Sequence, residues 1–213
     1  MSDQRDKILE CACELYLADG LDAFSMRKLA RRVGVTAPAL YRHYESREHV
    51  LSDVLREAYR EFTRKLYTAL QGRTPLERFA MAGEGYWDFA LKNARWYQLL
   101  FIAPEQLGMT DLPEDLQAMG CAVHQFWVDR VRECQDAGIL REGDPVQISL
   151  TMWAHAHGMI SLYHHGHFRM DEETFRRQFR HSASNMMAGL GTETFALEMA
   201  GALGAGLPLG VTP

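Results

Sequence analysis

Apolar residues recur at helical spacing along most of the chain, and no stretch of useful length alternates with the two-residue period of a strand. The first run, Asp3–Asp19, sets Ile8, Leu9, Ala12, Leu15 and Tyr16 on one side and stops at Gly20. Met26, Leu29, Ala30 and Val33 give a second apolar face, which Gly34 ends and Val35 plugs. Thr36 is placed to cap a third helix, Ala37–Tyr44. Pro38 sits in its first turn, Leu40 points inward, and Pro38, Ala39, Tyr41, Arg42 and His43 face outward. Ser46 caps a long helix, 47–70, with the stripe Val50, Val54, Leu55, Ala58, Phe62, Leu66 and Leu70. At 1.5 Å per residue this rod is about 36 Å long.

The second half starts its helices by the same chemistry. Thr74-Pro75-Leu76-Glu77 is a capping box with proline at the first helical position, opening a helix to Lys92. Ala94–Ile102 follows and ends before Pro104, with a loop over Leu107–Pro113. Pro113 opens a helix to Ala137 that Gly138 stops. Asp144-Pro145 begins another, to Gly166, and Asp171 caps a last long helix to Leu190. Residues 191–213 are a glycine-rich tail in which Thr194–Leu203 can form a further turn or two. The expected class is all-α. Residues 1–46 form a helix-turn-helix module, and 47–190 form a second domain that includes the connecting helix 47–70.

Charge singles out one stretch. Ser25–Arg47 carries six basic residues against one acid, a net of +5, whereas the chain is −5 and the remainder is therefore −10. A lone basic island on an acidic protein is steered towards a polyanion. A short helix with exposed Arg, His, Tyr and small residues suits a major groove. The charged start MSDQRDKILE is no signal sequence, and no eighteen consecutive residues are apolar, so the reading is a cytoplasmic protein without a membrane partner. Cys11, Cys13, Cys121 and Cys134 follow no disulfide or zinc spacing and are expected to be reduced.

The run RKLA–GV–P–LY–HY, followed by Ser46-Arg47-Glu48 and the Val50–Leu51 pair, resembles the DNA-binding domain of tetracycline-repressor (TetR) family regulators over roughly Arg5–Leu55. The family usually has Lys where this chain has Arg47; either can hold a phosphate. The resemblance implies that Arg42 and His43, with Arg27, Ala37, Pro38 and Ala39, meet base edges and thymine methyls. It implies phosphate contacts for Ser25, Thr36, Tyr41, Tyr44 and Arg47. It also implies a homodimer in which the last two long helices pair with their copies as a four-helix bundle on a palindromic operator. Phe175, Phe179 and Met186 form a stripe that a single copy is not expected to cover, which makes them dimer contacts on their own argument.

Aromatic residues from several helices suggest a small-molecule pocket, since Trp and Tyr also seek polar partners. The expected lining is drawn from Tyr86, Trp87, Trp96, Tyr97, Phe126, Trp127, Met152, Trp153, His155 and Met159. Trp153–His157–Gly158 also resembles a Trp…His-Gly pattern of one TetR subgroup, which adds His157. The effector would be a small organic molecule such as a lipophilic metabolite, a drug or an acyl thioester. No cofactor is expected. A metal-sensing regulator is the alternative, but His155 and His157 lie about 200° apart on one helix, and His157 and His164 about 10 Å apart along it. Only His164 and His167 have workable spacing. An all-α enzyme would need a nucleophile motif or paired carboxylates that the sequence does not offer. An interaction module would leave the basic helix pair unexplained.

Overall fold

The computed structural model describes residues 2–101 and 104–197. Nine α-helices are named here among the described residues: α1 (Ser2–Asp19), α2 (Met26–Val33), α3 (Ala37–Tyr41), α4 (Arg47–Tyr67), α5 (Pro75–Lys92), α6 (Ala94–Leu100), α7 (Glu114–Asp136), α8 (Pro145–His164) and α9 (Glu172–Leu190). Short 3₁₀ turns occupy Thr68–Gln71 and Pro104–Leu107. Apart from an isolated antiparallel bridge between Leu140 and Gly191, regular structure among the described residues is helical. No described helix is long and apolar enough to cross a membrane.

Side chains start most of these helices where the sequence puts a cap. Ser25 accepts from the Lys28 amide, Thr36 from Ala39, Ser46 from His49, Asp144 from Val146 and Asp171 from Thr174. The α5 box is half as expected: Thr74 accepts from the Glu77 amide, but Glu77 returns to the Arg73 amide rather than to Thr74. Three boundaries differ from expectation. Helix α3 stops at Tyr41, because the amides of His43 and Tyr44 both turn back to the Leu40 carbonyl. Helix α4 stops at Tyr67 and tightens into a 3₁₀ turn, which leaves Leu70 52% exposed and off the stripe. Residues 193–197 are helical, and the rest of the expected turn lies outside the described residues, as do Ile102 and the tail beyond 197.

The chain packs as two compact units. The first holds the residues up to Phe62 together with Asn93–Gly120. Its core joins Ile8, Leu15, Phe24, Leu29, Leu40, Tyr44 and Val54 with Tyr97, Leu99 and Leu107. Tyr16 donates to the Arg95 carbonyl at 2.8 Å, and its ring lies 5.8 Å from that of Trp96. The second unit holds Thr63–Lys92 and the residues from Cys121 onward. There Leu76, Val131, Cys134, Ile139, Leu140 and Met187 form a buried cluster, with Phe79, Met152 and Met186 against it. Helices α4 and α7 each contribute residues to both units.

Candidate functional site

In the first unit α2 and α3 meet at a turn that only glycine makes cheaply. Gly34 has φ +80, and its amide donates to the Ala30 and Arg31 carbonyls, closing α2. Val35 then donates to Ala30. Met26, Leu29, Ala30, Val33 and Leu40 are buried, so the pair rests on one apolar face. The other face is open: Arg27, Arg31, Thr36, Ala37, Pro38, Tyr41 and Arg42 are exposed. Some cations of the island are engaged. Lys28 pairs with Asp19 at 3.2 Å and Arg32 with Glu14 at 2.9 Å. No side-chain hydrogen bond or ion pair is seen for Arg27, Arg31 or Arg42 among the described residues, and all three are exposed, as are Ala37 and Pro38 of α3.

Behind α3 lies a polar hub. The Asp53 carboxylate accepts from Arg5 at 3.0 Å, from the Tyr44 hydroxyl at 2.9 Å and from Arg56 at 2.6 Å. Arg56 reaches on to Asp115. Burial pushes the Asp53 carboxyl up, but the hydrogen bonds from Arg5, Tyr44 and Arg56 outweigh it and hold it below the usual carboxylate range. Burial, reinforced by the Asp53 charge, raises the Tyr44 phenol well above its ordinary value.

The second unit contains a cavity of about 160 Å³. Helix α5 supplies Leu76, Phe79, Tyr86 and Trp87; α7 supplies Trp127 and Val131; α8 supplies Ser149, Met152, Trp153 and His155; α9 supplies Phe179, Met186 and Met187. The small residues Ala80, Gly83, Ala156 and Ala183 line the same space, and a Cβ added at Gly83 would meet nothing within 4 Å. Small side chains on facing helices are why the aromatics around them leave a gap. The Trp87 ring stacks on Phe175 at 5.2 Å and meets Phe179 at 4.2 Å, and the Arg176 guanidinium lies 5.5 Å from its centre. Trp87 Nε1 and Ser149 Oγ are buried without a hydrogen-bond partner among the described residues. His155 Nε2 lies 2.8 Å from Ser182 Oγ, and burial lowers the imidazole below its ordinary value, so it is neutral near pH 7. Glu84, Arg176 and Arg180 are the charged lining residues. Burial pushes the Glu84 carboxyl up against the pull of Arg176, which sits 3.8 Å away.

Residues 8–54, which hold the helix pair, match the family described as "Bacterial regulatory proteins, tetR family", and residues 79–186, which hold most of the cavity, match "Tetracyclin repressor-like, C-terminal domain". The chain belongs to the TetR family. Its helix pair lies within the first of these matched segments. Among TetR-family relatives, the transcriptional repressor KstR2 of Mycolicibacterium smegmatis is 26% identical over 62% of this chain and 65% of its own length. The transcriptional activator FasR of the same organism is 29% identical over 46% of each. The chain thus spans less than two thirds of these relatives' lengths. A solved structure from Rhodococcus, described as a protein of unknown function, superposes with a TM-score of 0.73 at 25% identity, covering 89% of this chain and 96% of that one.

Several residues stand differently in this TetR-family chain from what the sequence suggests. Tyr44 is fully buried, with its hydroxyl donating to Asp53. Arg47 donates to the carbonyls of Leu21 and Phe24 at 3.1 and 3.4 Å, tying the loop before α2 to the start of α4. Ser25 and Thr36 use their hydroxyl oxygens as caps. Of the expected cavity residues, Tyr86, Trp87, Trp127, Met152, Trp153 and His155 line it, while Phe126, His157 and Met159 do not. Trp96 and Tyr97 are buried in the first unit, not the second. Phe175 is fully buried within one chain, and Phe179 and Met186 line the cavity, so an uncovered stripe is not a reason for these three to meet a second copy. Ser149 was missed; its signal is a small polar residue on the same α8 face as Met152, Trp153 and Ala156. No group of three His, Cys, Asp or Glu side chains among the described residues stands where one metal ion would be held.

Proposed function

We propose that this regulator is a homodimeric repressor released from a palindromic operator by a small organic effector bound in the second unit. The observation that carries the reading is the cavity itself, mainly apolar, benzene-sized, and lined by two buried hydrogen-bonding groups that the described chain leaves unmet. Repression is favoured over activation because the KstR2 match covers more of the chain than the FasR match. A two-fold dimer presents two α3 helices to one face of a duplex, about 34–36 Å apart or a multiple of that. Arg42, with Arg27, Ala37, Pro38, Ala39 and His43, is proposed to meet bases, and Arg31, Tyr41, Ser25 and Thr36 the backbone.

Dimerisation is proposed on α8. Val146, Leu150 and Trp153 are 40%, 42% and 37% exposed at spacings of four and three, a single apolar face. His157 continues it one turn on, its ring 5.6 Å from that of Trp153. On α9, by contrast, Arg177, Gln178, His181 and Asn185 are exposed and polar.

The test begins with selection from random duplexes. The enriched sequence is expected to be an inverted repeat whose affinity falls steeply with salt. A thermal-shift screen of small organic compounds on the protein follows, because a ligand of the native state raises the melting temperature by mass action. Hits should then lower operator affinity in proportion to their own binding. A non-repeated site, or hits that bind the cavity and leave operator affinity unchanged, would overturn the proposal.

A further inference from the structure

The chemistry of the cavity points further, on the reading that it is the effector site. We propose that it receives a neutral, ring-sized apolar molecule bearing a hydrogen-bond acceptor such as a ketone carbonyl, held by Trp87 Nε1–H and Ser149 Oγ–H.

An indole N–H donates and cannot accept, so the group that meets it must be an acceptor. Trp87 is 4% exposed and Ser149 2%, and neither polar atom has a partner among the described residues. Leaving such groups dry is costly, which is unusual without something to meet them. The two residues come from different helices, α5 and α8, and both line one cavity. The Trp87 ring is engaged by Phe175, Phe179 and the Arg176 guanidinium, so the chemistry it has left to offer is the N–H.

Charge argues for a neutral guest. The Arg176 guanidinium stands 3.7–3.8 Å from Glu84, Asp88 and Glu172, so it is already faced by three carboxylates. An anion would shed its hydration among Phe79, Trp127, Met152 and Phe179 and lie near Glu84, on which the two lining cations, Arg176 and Arg180, already act. A cation would have to take Glu84 from Arg176. His155 is neutral near pH 7 and already bonded to Ser182. The volume of about 160 Å³ suits one six-membered ring with a short substituent.

The experiment uses the full chain labelled with ¹⁵N at its indoles and three matched probes: ethylbenzene, acetophenone and benzoate. Acetophenone is expected to bind roughly tenfold more tightly than ethylbenzene, the increment of one or two hydrogen bonds. The Trp87 indole N–H signal, identified by its absence in Trp87→Phe, should move with acetophenone and stay nearly still with ethylbenzene. Trp87→Phe should bind both probes alike, and Ser149→Ala, which keeps every ring in place, should lose part of the preference. If ethylbenzene binds as tightly as acetophenone, or Ser149→Ala and Trp87→Phe keep the full preference, the acceptor assignment is overturned while the cavity stands. Tighter binding of benzoate overturns it in favour of an anionic ligand. If none of the three binds, the effector-site reading falls, and this inference with it.

Discussion

Replacing Asp53 by Ala is expected to destabilise the first unit by about 3 kcal/mol, most of it through Tyr44. Three arms converge on the carboxylate, whose side chain is 14% exposed. The Arg5 arm is 47% exposed and falls in the surface-pair range of about 0–1 kcal/mol. Arg56 keeps Asp115 as a partner, so its loss is small. The Tyr44 hydroxyl belongs to a fully buried residue and would lose its acceptor, a cost of roughly 1–3 kcal/mol added to the lost bond. Tyr44→Phe removes the hydroxyl along with its need and should cost less, about 1 kcal/mol. The two changes should therefore couple by about 1–2 kcal/mol in a double-mutant cycle read by urea unfolding. Acid provides a second check. Because the folded Asp53 carboxyl titrates below its ordinary value, its contribution is complete above the unfolded value of about 4 and is lost as pH falls through the lower folded one. The gap between native protein and Asp53→Ala should thus close on acidification below about pH 4. A coupling near zero, or a gap unchanged at pH 2, would refute the reasoning.

Three further outcomes are expected. Arg42→Ala should relax discrimination at one base pair per half-site by about 1–3 kcal/mol in a selection experiment, whereas Arg31→Ala should weaken all duplexes alike and flatten the salt slope by about one. Arg47→Ala should lower thermal stability, since its guanidinium holds two loop carbonyls that Lys cannot span in the same way; unchanged stability with reduced affinity for every duplex would return it to the phosphates. Phe175→Ala should cost about 3–5 kcal/mol of stability without altering sedimentation, while Leu150→Glu should turn dimer into monomer, and the reverse pattern would place the seam on α9.

Much of the fold is legible because caps are local chemistry. Ser25, Thr36, Ser46, Asp144 and Asp171 each accept the amide that their position predicts, and these bonds depend on a few consecutive residues. Helical spacing likewise finds an apolar face, but it does not say what covers that face. Phe175 and Phe179 read as an open stripe and are in fact met by Trp87 from the same chain. Trp96 and Trp87 look equivalent in the sequence, yet α6 packs into one unit and α5 into the other. Tyr44 lies four residues beyond the buried Leu40, a spacing that turns it to the inner side. That Trp87 Nε1 and Ser149 Oγ go unmet has no sequence signature, because satisfaction is a property of neighbours distant in the chain.

The unit that carries the helix-turn-helix is built from two separate lengths of polypeptide. Residues 93–120 complete it: Arg95 and Trp96 hold Tyr16, Asp115 holds Arg56, and the Ser52 hydroxyl lies 3.8 Å from the Met109 sulfur. The reading head is therefore not a transplantable cassette. A chimera that joins residues 1–62 to another regulator's body would discard Tyr97, Leu99 and Leu107 from the core and take from Tyr16 and Arg56 their partners Arg95 and Asp115. An exchange of DNA specificity between relatives has to carry both lengths, or be confined to the exposed positions of α2 and α3. Drift in the sequence around α6 is then expected to change the stability of the unit that carries α2 and α3.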